Sequence, residues 1–206
     1  SLKPGAVNAT AIGFSLGPRL NAAGRLDSAL AAYELLTTHD TSRARELARQ
    51  LEDQNRERQE ITRAIQQQAR EIALKEGGES PFLLFAAHRD FNPGVVGLAA
   101  SRLVDEFYRP AVVAQIGDEE TRGSARSIRE FHITEAFDSC SDLLVRHGGH
   151  AAAAGFTVRN EHLGALAERL SALAKEQLSG LDLRPALSID AVMKFSSLDW
   201  ALLDHL

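Results

Sequence analysis

Pro81-Phe82-Leu83-Leu84-Phe85-Ala86-Ala87 is a continuous apolar run of strand length. Such a run is what a strand buried on both faces requires. The loop His88-Arg89-Asp90-Phe91-Asn92-Pro93-Gly94 follows, and then Val95-Val96-Gly97-Leu98-Ala99-Ala100-Ser101-Arg102-Leu103-Val104, which reads as a helix. Pro110-Ala111-Val112-Val113-Ala114-Gln115-Ile116 is a second apolar strand. Strand, helix, strand predicts a right-handed parallel βαβ unit, with ligands favoured at the loop after the first strand, residues 88–94. The fold class expected is α/β.

Upstream, Thr41 to Glu76 contains neither proline nor glycine, and Gly77-Gly78 ends the run. Asp40, Thr41 or Ser42 can cap its start, and helix formers dominate it. A continuous helix here would be ~50 Å long. Its apolar stripe is thin and polar at the centre, which predicts packing at both ends and an exposed middle around Asn55–Gln59, or else a partner helix. Before it, residues 5–26 gather Gly17-Pro18-Arg19-Leu20-Asn21-Ala22-Ala23-Gly24-Arg25-Leu26. Arg19, Asn21 and Arg25 among small residues suit contacts to a phosphate or sugar; a helix start with solvated arginines is the competing reading. Asp27-Ser28 would cap a short helix that buries Leu30, Tyr33, Leu35 and Leu36.

Downstream, Asp118-Glu119-Glu120 makes a hairpin tip, and Thr121-Arg122-Gly123-Ser124-Ala125-Arg126-Ser127-Ile128-Arg129 returns as a strand. Alternation puts Arg122, Ser124 and Arg126 on one face. That face is poor core and a good anion surface, unless the strand is a solvated edge. A helix is expected over Ile133–Val145. Gly148-Gly149-His150-Ala151-Ala152-Ala153-Ala154-Gly155-Phe156 then buries little apolar area. It suits a backbone-lined anion pocket with one imidazole donor, opening a short helix. A tight turn with His150 as a solvated cap is the alternative. Phe156–Val158 reads as a strand, residues 161–178 as an amphipathic helix, Ala186–Val192 as a strand and Ser196–Leu206 as the start of a helix.

Composition sets limits. The chain has 206 residues, of which 44% are hydrophobic and 25% charged, as in a soluble globular protein. No apolar run approaches the length of a membrane span, and the start has no signal-peptide layout. The single cysteine, Cys140, excludes an internal disulfide and suits a cytoplasmic location. A net charge of −5 argues weakly against nucleic acid, but all basic residues except Lys3, Lys75, Lys175 and Lys194 are arginine, which grips phosphate bidentately. The loop-like start and the interrupted pattern at Leu206 suggest an excised fragment.

These pieces, in this order, resemble the RecJ-type single-stranded-DNA exonucleases of the DHH phosphoesterase superfamily. The resemblance rests on Leu16–Leu26, Asn55-Arg56-Glu57-Arg58-Gln59, Pro93-Gly94-Val95-Val96-Gly97 with Ala100-Ser101-Arg102-Leu103, Gly123-Ser124-Ala125-Arg126-Ser127, and Gly148-Gly149-His150 with Ala153-Ala154-Gly155-Phe156. It covers essentially the whole chain. It implies the end of a DHH catalytic lobe at residues 1–40, a long connecting helix at 41–77, a DHH-associated domain with a mixed sheet flanked by helices at 78–180, and the start of an oligonucleotide-binding fold at 181–206. No Asp-His-His motif occurs, so no metal is expected on these residues, while Mn2+ or Mg2+ is implied for the full-length enzyme. The resemblance gives Arg19, Asn21, Arg25, Asn92, Arg122, Ser124, Arg126, Ser127, Gly148, Gly149 and His150 as nucleic-acid contacts. His150 would touch the scissile or adjacent phosphate and would not bind metal. The family usually has a histidine where this chain has Asn92, an amide that cannot carry charge. The implied partners are single-stranded DNA with a 5′-phosphate and a single-strand-binding protein. The implied function is the substrate-binding part of a 5′-to-3′ exonuclease, with the fragment inactive alone. A phosphodiesterase on short oligonucleotides or cyclic dinucleotides, and a non-catalytic binding module, are the competing functions.

Overall fold

The computed structural model describes residues 5, 7–78 and 81–203. A five-stranded mixed sheet forms its centre, built from β1 (Leu84–His88), β2 (Ala111–Ile116), β3 (Glu120–Arg126), β4 (Leu144–His150) and β5 (Ala153–Arg159). The spatial order is β1-β2-β3-β5-β4. Only β1 and β2 run parallel; the remaining neighbours are antiparallel. The parallel pair needs a crossover, and Val96–Phe107, the helix α5, supplies it. The α/β expectation, with a long helix leading into a mixed sheet, holds.

Helices α1 (Ala9–Ala11), α2 (Gly17–Leu26), α3 (Leu30–Thr37) and α4 (Thr41–Gly77) precede the sheet, and a π-helical stretch, Ile12–Leu16, joins the first two. Asp40 starts α4 by accepting from the Ser42 and Arg43 amides at 2.8 and 3.3 Å. Gly78, at φ +81°, ends it in a conformation that favours glycine. The 37 residues of α4 span ~55 Å, and two different cores use that length. Leu51 packs with Ala23 and Ala32, while Ile65, Ala69 and Ala73 pack against β1, β2 and α5.

The opposite side of the sheet is covered by α6 (Ile133–Asp138) and α7 (Leu163–Leu178). Phe137, Leu166, Leu170 and Leu178 meet Val112, Ala125, Phe156 and Val158 there. Cys140 lies in this core, fully buried, and burial raises its thiol above the ordinary cysteine range. No helix among the described residues is long and apolar enough to cross a membrane.

Local expectations fail in five places. The centre of α4 is exposed only in part: Arg56 and Glu57 face solvent, but Asn55 lies 3% exposed. Helix α3 turns Ala32 and Leu35 toward α2 and α4, leaving Leu30, Tyr33 and Leu36 in solvent; the smaller side chain allows the closer approach. Helix α6 ends at Asp138, after which the Cys140, Ser141 and Leu143 amides close successive turns and β4 begins at Leu144. Residues 186–192 form no strand: no neighbour pairs with them, and Leu187 and Val192 are exposed. The last expected helix is a 3-10 turn, Phe195–Ser197, and a short α8 (Trp200–Leu203); residues 204–206 lie outside the described residues.

Candidate nucleic-acid interface

No helix opens at Gly148–Phe156. The segment is a β-hairpin, β4 running out to His150 and β5 returning from Ala153. Alanines would have favoured a helix, but Ala154 and Phe156 belong to the core under α6 and α7, and only a strand offers them at period two. The argument from a helix N-terminus therefore falls away. Three donors hold the turn instead. The Ser127 amide donates to the Ala152 carbonyl at 2.9 Å, the Ile133 amide to Ala151 at 3.1 Å, and the Thr134 hydroxyl to His150 at 2.9 Å.

The strand register creates the site. Arg126 pairs with Ala153 and Ala153 with His150; Ser124 with Gly155 and Gly155 with Gly148; Arg122 with Thr157 and Thr157 with Arg146. Three rows thus cross β3, β5 and β4, and partners in a row point to the same face of the sheet. On that face the outer positions are arginine, serine and histidine except Gly148, and the middle positions are only alanine, glycine and threonine. Adjacent strands lie ~4.8 Å apart, so the outer members of a row are ~10 Å apart at the backbone. Arg122, Thr157, Arg146, Gly155 and Gly148 line part of an open groove of about 340 Å³.

Two kinds of glycine shape this face. A Cβ at Gly149 would sit 2.2 Å from the Ala153 carbonyl oxygen, so the hairpin requires glycine there. A Cβ at Gly148 would meet nothing within 4 Å, and one at Gly155 only a carbonyl oxygen at 3.8 Å. Packing does not demand these two; their effect is an uncovered floor. Gly97 of α5 makes room for Arg126, whose guanidinium would lie 2.9 Å from a Cβ at that position. Arg126 donates to the Ala125 carbonyl at 2.9 Å, and burial together with the Arg25 charge lowers its pKa below the ordinary arginine range. A half-buried cation with no carboxylate partner is primed for an anion.

The other expected contacts are dispersed. Arg19 is engaged by the Glu52 carboxylate and by the Ser15 carbonyl. Asn21 is exposed on α2. Arg25 closes α2 and donates to the Gly94 carbonyl at 3.2 Å. A Cβ at Gly94 would stand 1.9 Å from the Arg25 carbonyl oxygen, so α2 and the loop after β1 touch backbone to backbone. Asn92 uses its Oδ1 to accept from the Gly94 amide at 2.8 Å, an Asx turn that shapes this loop. Arg122 lies 3.6 Å from Glu120. The Ser127 hydroxyl donates to the Phe131 carbonyl at 2.6 Å.

Arg146 was not among the expected contacts. Leu144 pairs with Val158 and Arg146 with Thr157, so Val145 is an extra residue in β4. That bulge turns Arg146 onto the face of Arg122 and Arg126, where Nε donates to the Thr157 hydroxyl at 3.2 Å. A bulge leaves no mark in the local sequence.

Among the described residues, no three His, Cys, Asp or Glu side chains could hold a metal ion. Three of the histidines have other partners: His88 accepts from the Asp90 amide, His132 caps α6, and His147 bonds Asp138 on the far face at 2.7 Å. The described residues do not fit a metal centre, and no metal-dependent step follows from them.

Residues 80–177 match the family model of the DHHA1 domain. The chain is 40% identical over 190 residues to the single-stranded-DNA-specific exonuclease RecJ of Bacillus subtilis, covering 91% of this chain and 24% of that protein. It is 36% identical over 178 residues to its Escherichia coli namesake, covering 82% and 31%. The crystal structure of RecJ with Mg2+ from Thermus thermophilus superposes with a TM-score of 0.74 at 32% identity, covering 82% of this chain and 26% of that one. An exonuclease RecJ bound to manganese gives 0.72 at 31% identity, covering 85% and 44%. The chain spans between a quarter and a third of the length of the curated relatives it matches. With its strand order, its long helix and these matches together, the chain belongs to the RecJ-type family and carries that family's DHHA1 domain.

Proposed function

We propose that the face formed by β3, β5 and β4 holds the phosphate backbone of single-stranded DNA as the substrate-binding part of a metal-dependent 5′-to-3′ exonuclease in the cytoplasm. The observation that carries the reading is the row Arg126–Ala153–His150, two donors on either side of a residue too small to obstruct them. Arg126 and Ser124 take a phosphate at or near the 5′ end, and Arg122 and Arg146 take its neighbour. His150 donates to the scissile or adjacent phosphate across the open floor of Gly148 and Gly155. Mn2+ or Mg2+ would be held by residues outside this chain and would supply the hydrolytic chemistry there. The names of the relatives support the substrate class. In the same reading residues 1–40 end a catalytic lobe, 41–77 connect it, 78–180 bind the strand, and 181–206 begin a further module. No surface is assigned to a single-strand-binding protein.

Charge-assisted bonds to phosphate from a partly desolvated arginine carry most of the expected affinity. The test is Arg126→Ala, with binding of a 5′-phosphorylated single strand measured by fluorescence anisotropy. A 10- to 100-fold loss, on the order of 1.4–3 kcal/mol, is expected. Unchanged affinity would refute the assignment.

A further inference from the structure

Gly97 is the second residue of α5, in helical backbone that asks for no special conformation. Glycine in a helix costs stability relative to alanine, because the unfolded chain keeps more freedom. The reason for it lies in what a side chain would meet. The three nearest atoms to a Cβ at this position are Arg126 Nη2 at 2.9 Å, Ser124 Oγ at 3.2 Å and Ser124 Cβ at 3.5 Å. Both residues belong to the open face of β3. The other closely packed glycines differ. A Cβ at Gly94 or Gly149 would strike backbone, and one at Gly123 would strike the Phe156 ring at 2.5 Å, inside the core. Those positions serve the fold. At Gly97 the nearest obstacle is the tip of a long side chain, which can swing to another rotamer without moving the backbone.

Arg126 is held on two sides. Nη1 donates to the Ala125 carbonyl at 2.9 Å, and Nη2 lies against the bare backbone of Gly97. The donors of a guanidinium lie in one rigid plane, so its seating decides which of them face the groove. We propose that Gly97 is a positioning residue for the groove: the side chain that α5 lacks there leaves the seat from which the Arg126 guanidinium and the Ser124 hydroxyl reach a phosphate. The inference rests on the reading that this face binds the DNA backbone. Gly97 touches no substrate and acts through Arg126 and Ser124. Helix stability is given up at this one position for the geometry of the site.

Gly164 provides a matched control. It is also the second residue of its helix, α7, and a Cβ there would meet nothing within 4 Å. The experiment measures thermal midpoint and affinity for a 5′-phosphorylated single strand in Gly97→Ala and Gly164→Ala, each with and without Arg126→Ala. Both glycine variants should melt about 1–3 °C above the wild type, as helical glycine-to-alanine changes do in a chain of this size. Gly164→Ala should bind as the wild type does. Gly97→Ala should bind about 10-fold more weakly, and in the Arg126→Ala background its added loss should shrink to about twofold. The Arg126 Nε–H NMR resonance, identified by its absence in Arg126→Ala, should shift in Gly97→Ala and stay in place in Gly164→Ala. Four results would overturn the proposal: wild-type affinity in Gly97→Ala, the same loss in both backgrounds, an unmoved Arg126 resonance, or a midpoint well below the wild type, which would make Gly97 a packing residue. If Arg126→Ala loses affinity and Gly97→Ala does not, the groove stands without the Gly97 seat. If Arg126→Ala binds as the wild type does, the groove reading fails and takes this one with it.

Discussion

Arg126 and His150 stand in one row on the same face of the sheet, one on each side of Ala153. They come from strands that are 24 residues apart in sequence, and only the insertion of β5 between β3 and β4 brings them opposite each other. The gap between them is set by the strand spacing, so the size of residue 153 decides whether one phosphate can touch both.

Filling that gap should block the site without unfolding the domain. Ala153→Leu places a branched side chain between the two donors on a face that is open to solvent. Affinity for single-stranded DNA should fall by about 10-fold, near 1.4 kcal/mol. The thermal midpoint should move by less than about 2 °C, the range of an exposed substitution in a chain of this size. Binding by anisotropy and melting by circular dichroism measure the two effects separately.

The adjacent glycines should respond in opposite ways. Gly149→Ala drives a methyl group to 2.2 Å from the Ala153 carbonyl oxygen, and should cost about 1–3 kcal/mol in urea unfolding. Gly148→Ala meets nothing within 4 Å and should leave stability within about 0.5 kcal/mol. A methyl at 148 does intrude on the floor of the groove, so it should weaken DNA binding while Gly149→Ala weakens folding.

Docking of α2 on the loop after β1 should depend on Gly94. A Cβ there would lie 1.9 Å from the Arg25 carbonyl oxygen, which is backbone and cannot rotate away. Gly94→Ala should expose the α2 end, and limited proteolysis near residues 25–29 should accelerate several-fold relative to the wild type. The sheet domain's circular dichroism should persist.

Acid should loosen α7 at one identified contact. The Arg169 guanidinium, bonded to Asp142, holds that carboxyl below the ordinary aspartate range. A depressed carboxylate stabilises the fold above its unfolded value of ~3.9 and loses that contribution as pH falls through the folded value. Carbon-detected NMR titration should find Asp142 titrating below pH 3.9 in the wild type and moving up in Arg169→Gln. An unmoved midpoint would count against the pair.

Much of this architecture was legible because it depends on short-range periodicity. The apolar run before His88, the second run at 111–116 and the alternation through Arg122, Ser124 and Arg126 each declare a strand and its faces. What stayed hidden depends on partners far away in sequence. The Ala-rich stretch after His150 satisfies helix propensity, and only the core's need for Ala154 and Phe156 on one side makes it a strand. Arg146 reaches the site through a bulge at Val145 that no residue type announces. Leu30, Tyr33 and Leu36 show the converse, an apolar pattern that the described residues do not bury.

The central claim is that the face of β3, β5 and β4 grips phosphate, and the salt dependence of binding tests it most directly. Affinity for a 5′-phosphorylated single strand, measured by anisotropy across a series of salt concentrations, should give a log–log slope that becomes shallower by about 0.7 for each phosphate contact removed. Arg126→Ala should lower both affinity and slope, and the Arg122→Ala, Arg146→Ala double variant should lower the slope by about twice as much. Wild-type slopes in all three proteins would contradict the account.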